Sequence, residues 1–293
     1  MDPTVISYYQ MKIADSNLEV IRYESLINKY SILRLITIAA GIFFFYQSLK
    51  LEASWLPVLV FFVVIIAFSF LVRKQNFFEI KRDYYKDLSA VYLNENDSIE
   101  RRTNIYNDGS DWEDDLHPYS SDLDIFGKGS LFELLNRCAT ALGNAKLAEW
   151  LKARSGVDVL RERQTAVEEL ASKQNWKHSF QAVLLFSKHS KVDQVEQLFQ
   201  YLRTAPNSGS GFIRFYVKWA TWIFILFAGL AWFFPVFIIL LIAMGISNLF
   251  VMQAYLSLVM KTDSLIGKMS QILGHFSEAI NAVSAEKWTS SLC

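Results

Sequence analysis

Residues 55–72 read Trp-Leu-Pro-Val-Leu-Val-Phe-Phe-Val-Val-Ile-Ile-Ala-Phe-Ser-Phe-Leu-Val, eighteen positions without a charge, and Arg73-Lys74 follow at once. An apolar run of that length closed by two cations has the composition of a membrane-crossing helix. Just upstream, residues 35–49 form a second charge-free run between Arg34 and Lys50, whose long side chains can reach the headgroup level. Together these runs predict a first transmembrane hairpin over 35–72. A second apolar block spans residues 219–260, 42 residues without a charge. As one helix it would measure about 63 Å, against a hydrocarbon core of about 30 Å. It is therefore expected to fold as a second hairpin, over 215–256, turning at Phe233-Phe234-Pro235. Trp219, Trp222 and Trp232 fall where aromatic belts lie.

The cations set an orientation. Lys12, Arg22, Lys29 and Arg34 precede the first hairpin, and Arg73, Lys74, Lys81, Arg82 and Lys86 follow it. Arg203, Arg214 and Lys218 precede the second, and Lys261 and Lys268 follow it. Excess Lys and Arg mark the cytoplasmic side, so both turns should face out and both termini should be cytoplasmic, in a bacterial inner membrane. The spans contain no Asp, Glu, Lys, Arg or His, the groups that transport usually requires at membrane depth. They read as anchors, and the lipid bilayer is the first partner.

The whole chain has 293 residues with 29 basic and 29 acidic side chains. That neutral balance lacks the basic excess of a nucleic-acid-wrapping protein. Segment 75–211, expected to be cytoplasmic, holds 17 Lys and Arg against 21 Asp and Glu, a net charge of −4. The sign is wrong for an autonomous DNA-binding surface. Two cysteines, Cys138 and Cys293, supply neither a disulfide framework nor a cysteine zinc site. The four histidines show no metal-ligand spacing, and no catalytic, cofactor-binding or metal site is expected. The acidic stretch 108–124 does not match a calcium loop, because Tyr106 would occupy a ligand position.

Helical periodicity dominates the cytoplasmic part, so the fold class is all-α: four transmembrane helices in two hairpins plus a helical domain. Residues 1–34 form an N-terminal cytoplasmic helix, and 77–93 continue the second span as a polar helix. Residues 94–121 are expected to be a loop. Ser130-Leu131-Phe132-Glu133 has the form of a capping box opening a helix through Ala153. Its buried face would be Leu131, Leu134, Leu135, Leu142, Leu147, Trp150 and Leu151. Asp158 should cap the next helix, which buries Val159, Leu160, Ala166, Val167 and Leu170. Amphipathic helices follow at 176–187 and 192–203, a Gly/Ser-rich hinge at 206–211, and a long helix over 260–288. The terminal segment 257–293 is expected to be truncated. Gly127-Lys128-Gly129-Ser130 lacks the glycine spacing of a phosphate loop and reads as a turn with a helix cap.

One stretch resembles a known family. His117-Pro118-Tyr119, Asp122-Leu123-Asp124-Ile125-Phe126-Gly127 and Ser130-Leu131-Phe132-Glu133-Leu134-Leu135-Asn136-Arg137 resemble the start of the core, or lever, domain of the MutS mismatch-repair ATPases. The likeness continues through Thr140, Gly143, Leu147, Trp150 and Leu151 and resumes at Arg163-Gln164-Thr165-Ala166. It covers about 120–171 within a MutS-like region of about 120–205, and four spans suggest a membrane-anchored subgroup. The resemblance implies a core that links DNA contacts to a C-terminal ATPase using ATP and Mg, with homodimers formed through that ATPase. This chain carries neither the Walker loop nor the mismatch-reading domain. The wedge letters Phe-x-Glu occur at Phe77-Phe78-Glu79, but against the membrane. A hairpin also stands where relatives extend helices toward a DNA clamp, which argues against DNA contact. The alternative is a non-enzymatic membrane scaffold that binds a partner through its helical domain. The MutS-like reading expects a native gene product about twice the size of this chain, measurable by immunoblot of membranes with an antibody to residues 100–200.

Overall fold

In the computed structural model, residues 3–51, 53, 55–101, 103–114, 116–189, 211–231 and 234–290 are described. All regular elements among them are helical. In chain order they are α1 (Pro3–Ser48), α2 (Leu56–Arg101), α3 (Leu131–Leu135), α4 (Ala141–Lys152), α5 (Val157–Ser172), α6 (Gln174–Leu184), α7 (Gly211–Ala231) and α8 (Val236–Ala285). Short 3-10 turns lie at Ser110–Trp112 and Leu185–His189. The chain divides into two compact units, Met1–His189 with Glu278–Cys293, and Ser190–Ser277.

The first unit is organised by α1 and α2, 46 residues each and antiparallel. At a rise of 1.5 Å per residue each is about 69 Å long. Both change solvent preference partway along without a break in the helix. Their most apolar 18-residue windows have mean hydropathies of 1.4 and 2.6, and these two helices are long and apolar enough to cross a membrane. None of the α2 window is buried, and only 11% of the α1 window is. Hydroxyls inside the apolar half bond their own helix: Thr37 Oγ1 donates to the Leu33 carbonyl at 2.8 Å, and Ser48 Oγ to Phe45 at 2.7 Å. At the turn, the Lys50 ammonium sits 4.5 Å from the Tyr46 ring centre.

Beyond the apolar halves the same two helices meet through aromatic and polar pairs. Phe78 packs on Tyr30 at 5.2 Å between ring centres, and Tyr23 stacks on Tyr85 at 5.7 Å. Phe78 of the wedge-like triplet is thus packed against α1. Lys86 pairs with Glu24 at 3.1 Å, and Ser89 Oγ donates to Asn17 Oδ1 at 2.9 Å. Helix α6 then closes a core of Tyr9, Leu88, Val91, Tyr92, Tyr106, Ala139, Ala182 and Leu185.

Several boundaries differ from the sequence expectation. Helix α2 continues to Arg101, so the loop begins about seven residues later than 94. The single helix expected from Ser130 to Ala153 is two, broken between Leu135 and Ala141. Of the expected buried face, Leu147 and Leu151 are half-buried and pack on a small core, and the other five positions do not. Leu131, Leu134, Leu135, Leu142 and Trp150 are exposed, whereas Phe132 and Ala148 are buried. Gly156, not Asp158, precedes α5, and no side chain caps it. Of its expected core, Ala166 is buried while Val159, Leu160 and Val167 are exposed. Segments 192–203 and 206–210 lie outside the described residues.

The C-terminal stretch returns to the first unit. Glu169 accepts from the amides of Thr289 (2.9 Å) and Ser290 (2.8 Å), which lower its pKa. Lys173 bonds Glu286 at 2.7 Å, and its ammonium lies 4.6 Å from the Trp288 ring centre. Trp176 Nε1 donates to the Ala282 carbonyl, and its ring meets Trp288 edge to face at 4.9 Å.

The second unit contains α7 and most of α8. Within it Lys218–Ala231 and Val236–Phe250 are shorter apolar helices, so two of the four expected spans meet the length criterion among the described residues. Between α7 and α8, Ile238 N bonds the Pro235 carbonyl and Phe237 stacks near Phe234 and Phe227, which places a turn at Pro235. Helix α8 runs without interruption to Ala285, so the expected 260–288 helix is continuous with the apolar segment before it.

Trp288→Ala removes both ring contacts that hold the C-terminal stretch. It is expected to raise proteolysis near residues 282–290 several-fold while leaving cleavage around α1 and α2 unchanged, as read by peptide mapping.

Candidate functional site

About half of the residues that carry the family resemblance converge on one place, a polar knot that ties the far end of α2 to α3 and α4. Asn136 is its centre and is fully buried. Its Nδ2 donates to the Asn107 carbonyl and to Asn144 Oδ1, both at 2.8 Å. Its Oδ1 accepts from Cys138 N at 2.8 Å. The side chain thus replaces the backbone partners that a continuing helix would have supplied, which is why α3 stops at Leu135. Thr140 restarts the helix as an N-cap, with Oγ1 accepting from Gly143 N at 3.1 Å.

Arg137 binds outward from the same turn. Its Nε and Nη2 grip the Glu95 carboxylate at 2.6 and 3.2 Å, and Nη2 also reaches Ser98 Oγ at 3.1 Å. Nη1 donates to the carbonyls of Leu134 and Asn136. One guanidinium therefore fastens α2 to the end of α3 in the two-point geometry that favours arginine. Asn104 adds two donations, to the carbonyls of Glu133 (2.6 Å) and Asn136 (2.7 Å). Asn94 accepts from Ile105 N at 2.8 Å.

The loop before α3 is built by the same stretch. Asp124 takes a left-handed φ of 46°, which Asp tolerates better than most residues. Gly127 lies at φ 94°, and a Cβ there would overlap the Glu113 carboxylate. Ser130 Oγ accepts from Glu133 N at 3.2 Å as expected, but the Glu133 carboxylate takes Gly129 N instead of the cap residue's amide. Ser130 N is held by the Gly127 carbonyl. The amides that resemble a phosphate loop are therefore committed to the protein's own acceptors. Phe126 and Phe132 fill a small core with Ile125 and Ala148, flanked by Trp112 and Tyr119. Tyr119 OH caps the end of α4 through the Lys152 carbonyl at 2.6 Å, and His117 Nε2 lies 3.2 Å from the same oxygen.

The thirteen expected signature residues divide clearly. Asp124, Phe126, Gly127, Ser130, Asn136, Arg137 and Gly143 belong to the knot or the loop that feeds it. Trp150 and Arg163 meet separately, with the guanidinium 4.0 Å from the ring centre and bonded to Ser155 Oγ at 2.9 Å. Asp122, Leu131, Leu135 and Gln164 are exposed. Among the described residues no group of three His, Cys, Asp or Glu side chains could hold a metal ion.

Sequence reasoning missed the buried polar groups beside the knot. His178 on α6 is fully buried between Tyr9 (5.8 Å between ring centres) and Tyr92 (5.1 Å). Neither of its ring nitrogens has a hydrogen-bond partner, and the Tyr106 hydroxyl and Asn94 Nδ2 are also unpaired. Burial lowers the His178 pKa to about 4 and raises that of Tyr92 to about 12. On α2, burial and the Asp83 charge raise Asp87 to about 6. The helical periodicity of Gln174–Leu184 could have placed His178 on the packed face, but not its lack of partners.

Comparison with family models, with curated proteins and with solved structures returns no match.

Two predictions follow the geometry. Asn136→Ala removes the partner of the buried Asn144 Oδ1 and of two half-buried groups, the Asn107 carbonyl and Cys138 N, and is expected to destabilise the first unit by about 2 kcal/mol in thermal or denaturant unfolding. The second concerns pH. An unfolded histidine protonates near 6.5 and the folded His178 near 4, so its contribution is present above 6.5 and lost on acidification through that interval. Asp87 acts oppositely, because its folded carboxyl protonates near 6 and its unfolded one near 3.8. Its contribution is full below 3.8 and lost as pH rises through 6. Asp87→Asn is therefore expected to steepen the loss of melting temperature between pH 6.5 and 4, and His178→Phe to reverse it.

Proposed function

We propose that this chain is a membrane anchor joined to a MutS-core-like lever: the paired α1 and α2 hold a helical module against the cytoplasmic face of a bilayer, and the knot transmits displacement between them. The observation that carries the reading is continuity. Helix α2 runs from an unburied apolar window to Glu95 and Ser98, which Arg137 grips. A movement imposed on α3 and α4 is thus applied to a helix about 69 Å long whose other half is apolar. Asn136, Arg137, Gly127 and Ser130, four residues of the family-like stretch, act together in one structural unit. In this reading they position helices and do no chemistry. The ATP and Mg that the resemblance implies are given no site among these residues, and DNA contact is not assigned to the acidic middle segment.

The apolar segments of the second unit supply a second hairpin, with both termini on the cytoplasmic side in a bacterial inner membrane. The scaffold reading has its own support in Leu135, Leu142, Val157 and Val167, which are exposed on the helical domain.

The full chain is expected to stay in the membrane pellet after alkaline carbonate extraction. A cysteine introduced at Leu51 should react with an impermeant maleimide in intact spheroplasts, and one at Ser110 only after permeabilisation. Recovery in the soluble fraction would overturn the anchor, and reversed labelling would overturn the orientation.

A further inference from the structure

The cytoplasmic end of the α1–α2 pair carries a band of cations that the protein itself leaves unpaired. Lys29 and Arg34 lie on α1, and Arg73 and Lys74 on α2. The Arg34 Nη1 donation to Gln75 Oε1 at 2.8 Å puts the two sets at one level. None of the four forms an ion pair among the described residues, whereas Arg22, Arg82, Lys86 and Arg137 do. The acids nearest in sequence on the two helices are engaged elsewhere: Glu24 pairs with Lys86 at 3.1 Å, and Glu79 accepts from Gln75 Nε2 at 2.9 Å. Arg34 is the most constrained of the set. Its guanidinium lies 5.1 Å from the Phe68 ring centre, and its Nε is buried with no partner in the protein. Arg73 and Lys74 are exposed, and Lys29 stands about 7.5 Å farther along α1 from the apolar window.

We infer that this band is a binding site for the phosphate of an anionic glycerophospholipid headgroup. The inference rests on the anchoring reading above and names its lipid partner. Depth supplies the argument. Arg34 immediately precedes the apolar run of α1, and Arg73 immediately follows that of α2. In a bilayer these positions fall at the hydrocarbon boundary, where lipid phosphates lie. A guanidinium with free N–H groups matches a phosphate diester, and clustered cations beside a span favour anionic over zwitterionic headgroups. The Phe68 face and Gln75 hold the fork in place, so less side-chain freedom is lost on binding.

The full chain is reconstituted in phosphatidylcholine vesicles containing spin-labelled phosphatidylglycerol or spin-labelled phosphatidylcholine. The motionally restricted fraction of each label gives a relative association constant. The phosphatidylglycerol label is expected to be preferred at least about fivefold, the effect of one cation near an anionic surface. Arg34→Gln should reduce the preference several-fold, while Arg22→Gln, whose cation is paired with Glu19, leaves it unchanged. The exposed double variant Arg73→Gln/Lys74→Gln should also lower it, and serves if Arg34→Gln loses helix content by circular dichroism. A ratio near one in vesicles that carry the protein overturns the lipid site but leaves the anchor standing. Failure to float with the vesicles at all overturns the anchor instead. Displacement of the anionic label by millimolar inorganic phosphate overturns the lipid assignment in favour of free phosphate.

Discussion

The antiparallel pairing of α1 with α2 is the constraint from which the rest of the first unit follows. Each helix must be apolar over one half and polar over the other, and the two changes of character must coincide. They do so because the register is fixed on the polar side, where Tyr30 meets Phe78, Tyr23 meets Tyr85 and Asn17 meets Ser89. A one-residue slip would rotate a helix by about 100° and separate these pairs. Close approach continues into the apolar half, where Gly41 lies against Val64 and a Cβ would stand only 2.8 Å from that side chain. The apolar faces are scarcely buried, so close packing at Gly41 and the polar-side contacts set the geometry of the pair.

The knot extends that constraint to the helical domain. Helix α3 is only five residues long and could not persist alone. It is held by a serine cap, a glutamate reaching back to Gly129, and Asn104 and Arg137 donating to the Glu133 and Leu134 carbonyls of its last turn. Arg137 then joins this turn to Glu95, so a short irregular segment becomes a fixed attachment on a long helix. The pair is half-buried, so removing one partner leaves a partly desolvated charge and costs more than the pair adds in net stability. The arrangement therefore specifies position more than it adds stability.

The first-unit part of the architecture legible in the sequence was the part encoded by composition. An eighteen-residue run without a charge states its solvent whatever surrounds it, and the Ser130–Glu133 cap is a local signal. The break at Leu135 was not legible. Its cause is Asn136, whose partners Asn107 and Asn144 lie 29 and 8 positions away. In sequence an asparagine between a helical run and Arg137-Cys138 looks like a tolerable interior residue. One continuous helix would place Leu142 inside, whereas the restarted helix leaves it exposed and keeps only Leu147 and Leu151 of the later expected positions against the core. The signature residues were found without their reason: Asn136 and Arg137 proved to be a fastening, while Gln164 makes no such contact. The docking of Trp288 and Glu286 on α5 and α6 involves separations above 100 residues, beyond any periodicity.

The core beside the knot gives up stability. His178, Tyr106 and Asn94 each bury a polar atom without a partner, and such groups cost free energy that apolar residues of the same volume would not. A site selected only for stability would replace His178, because its neighbours Tyr9 and Tyr92 offer it ring contacts and no acceptor. What the three residues share is location at the junction of α1, α2 and α6, the place where motion of the helical domain would meet the anchor pair. An apolar junction packs in many near-equivalent ways, whereas a polar one tolerates few, since each displacement changes which group is left unpaired. The cost at this junction is that of holding α1, α2 and α6 in one arrangement. The unpaired groups and the continuity of α2 are linked in this way: a displacement at one end of a long helix reaches the other only if the packing at the first end has few alternatives.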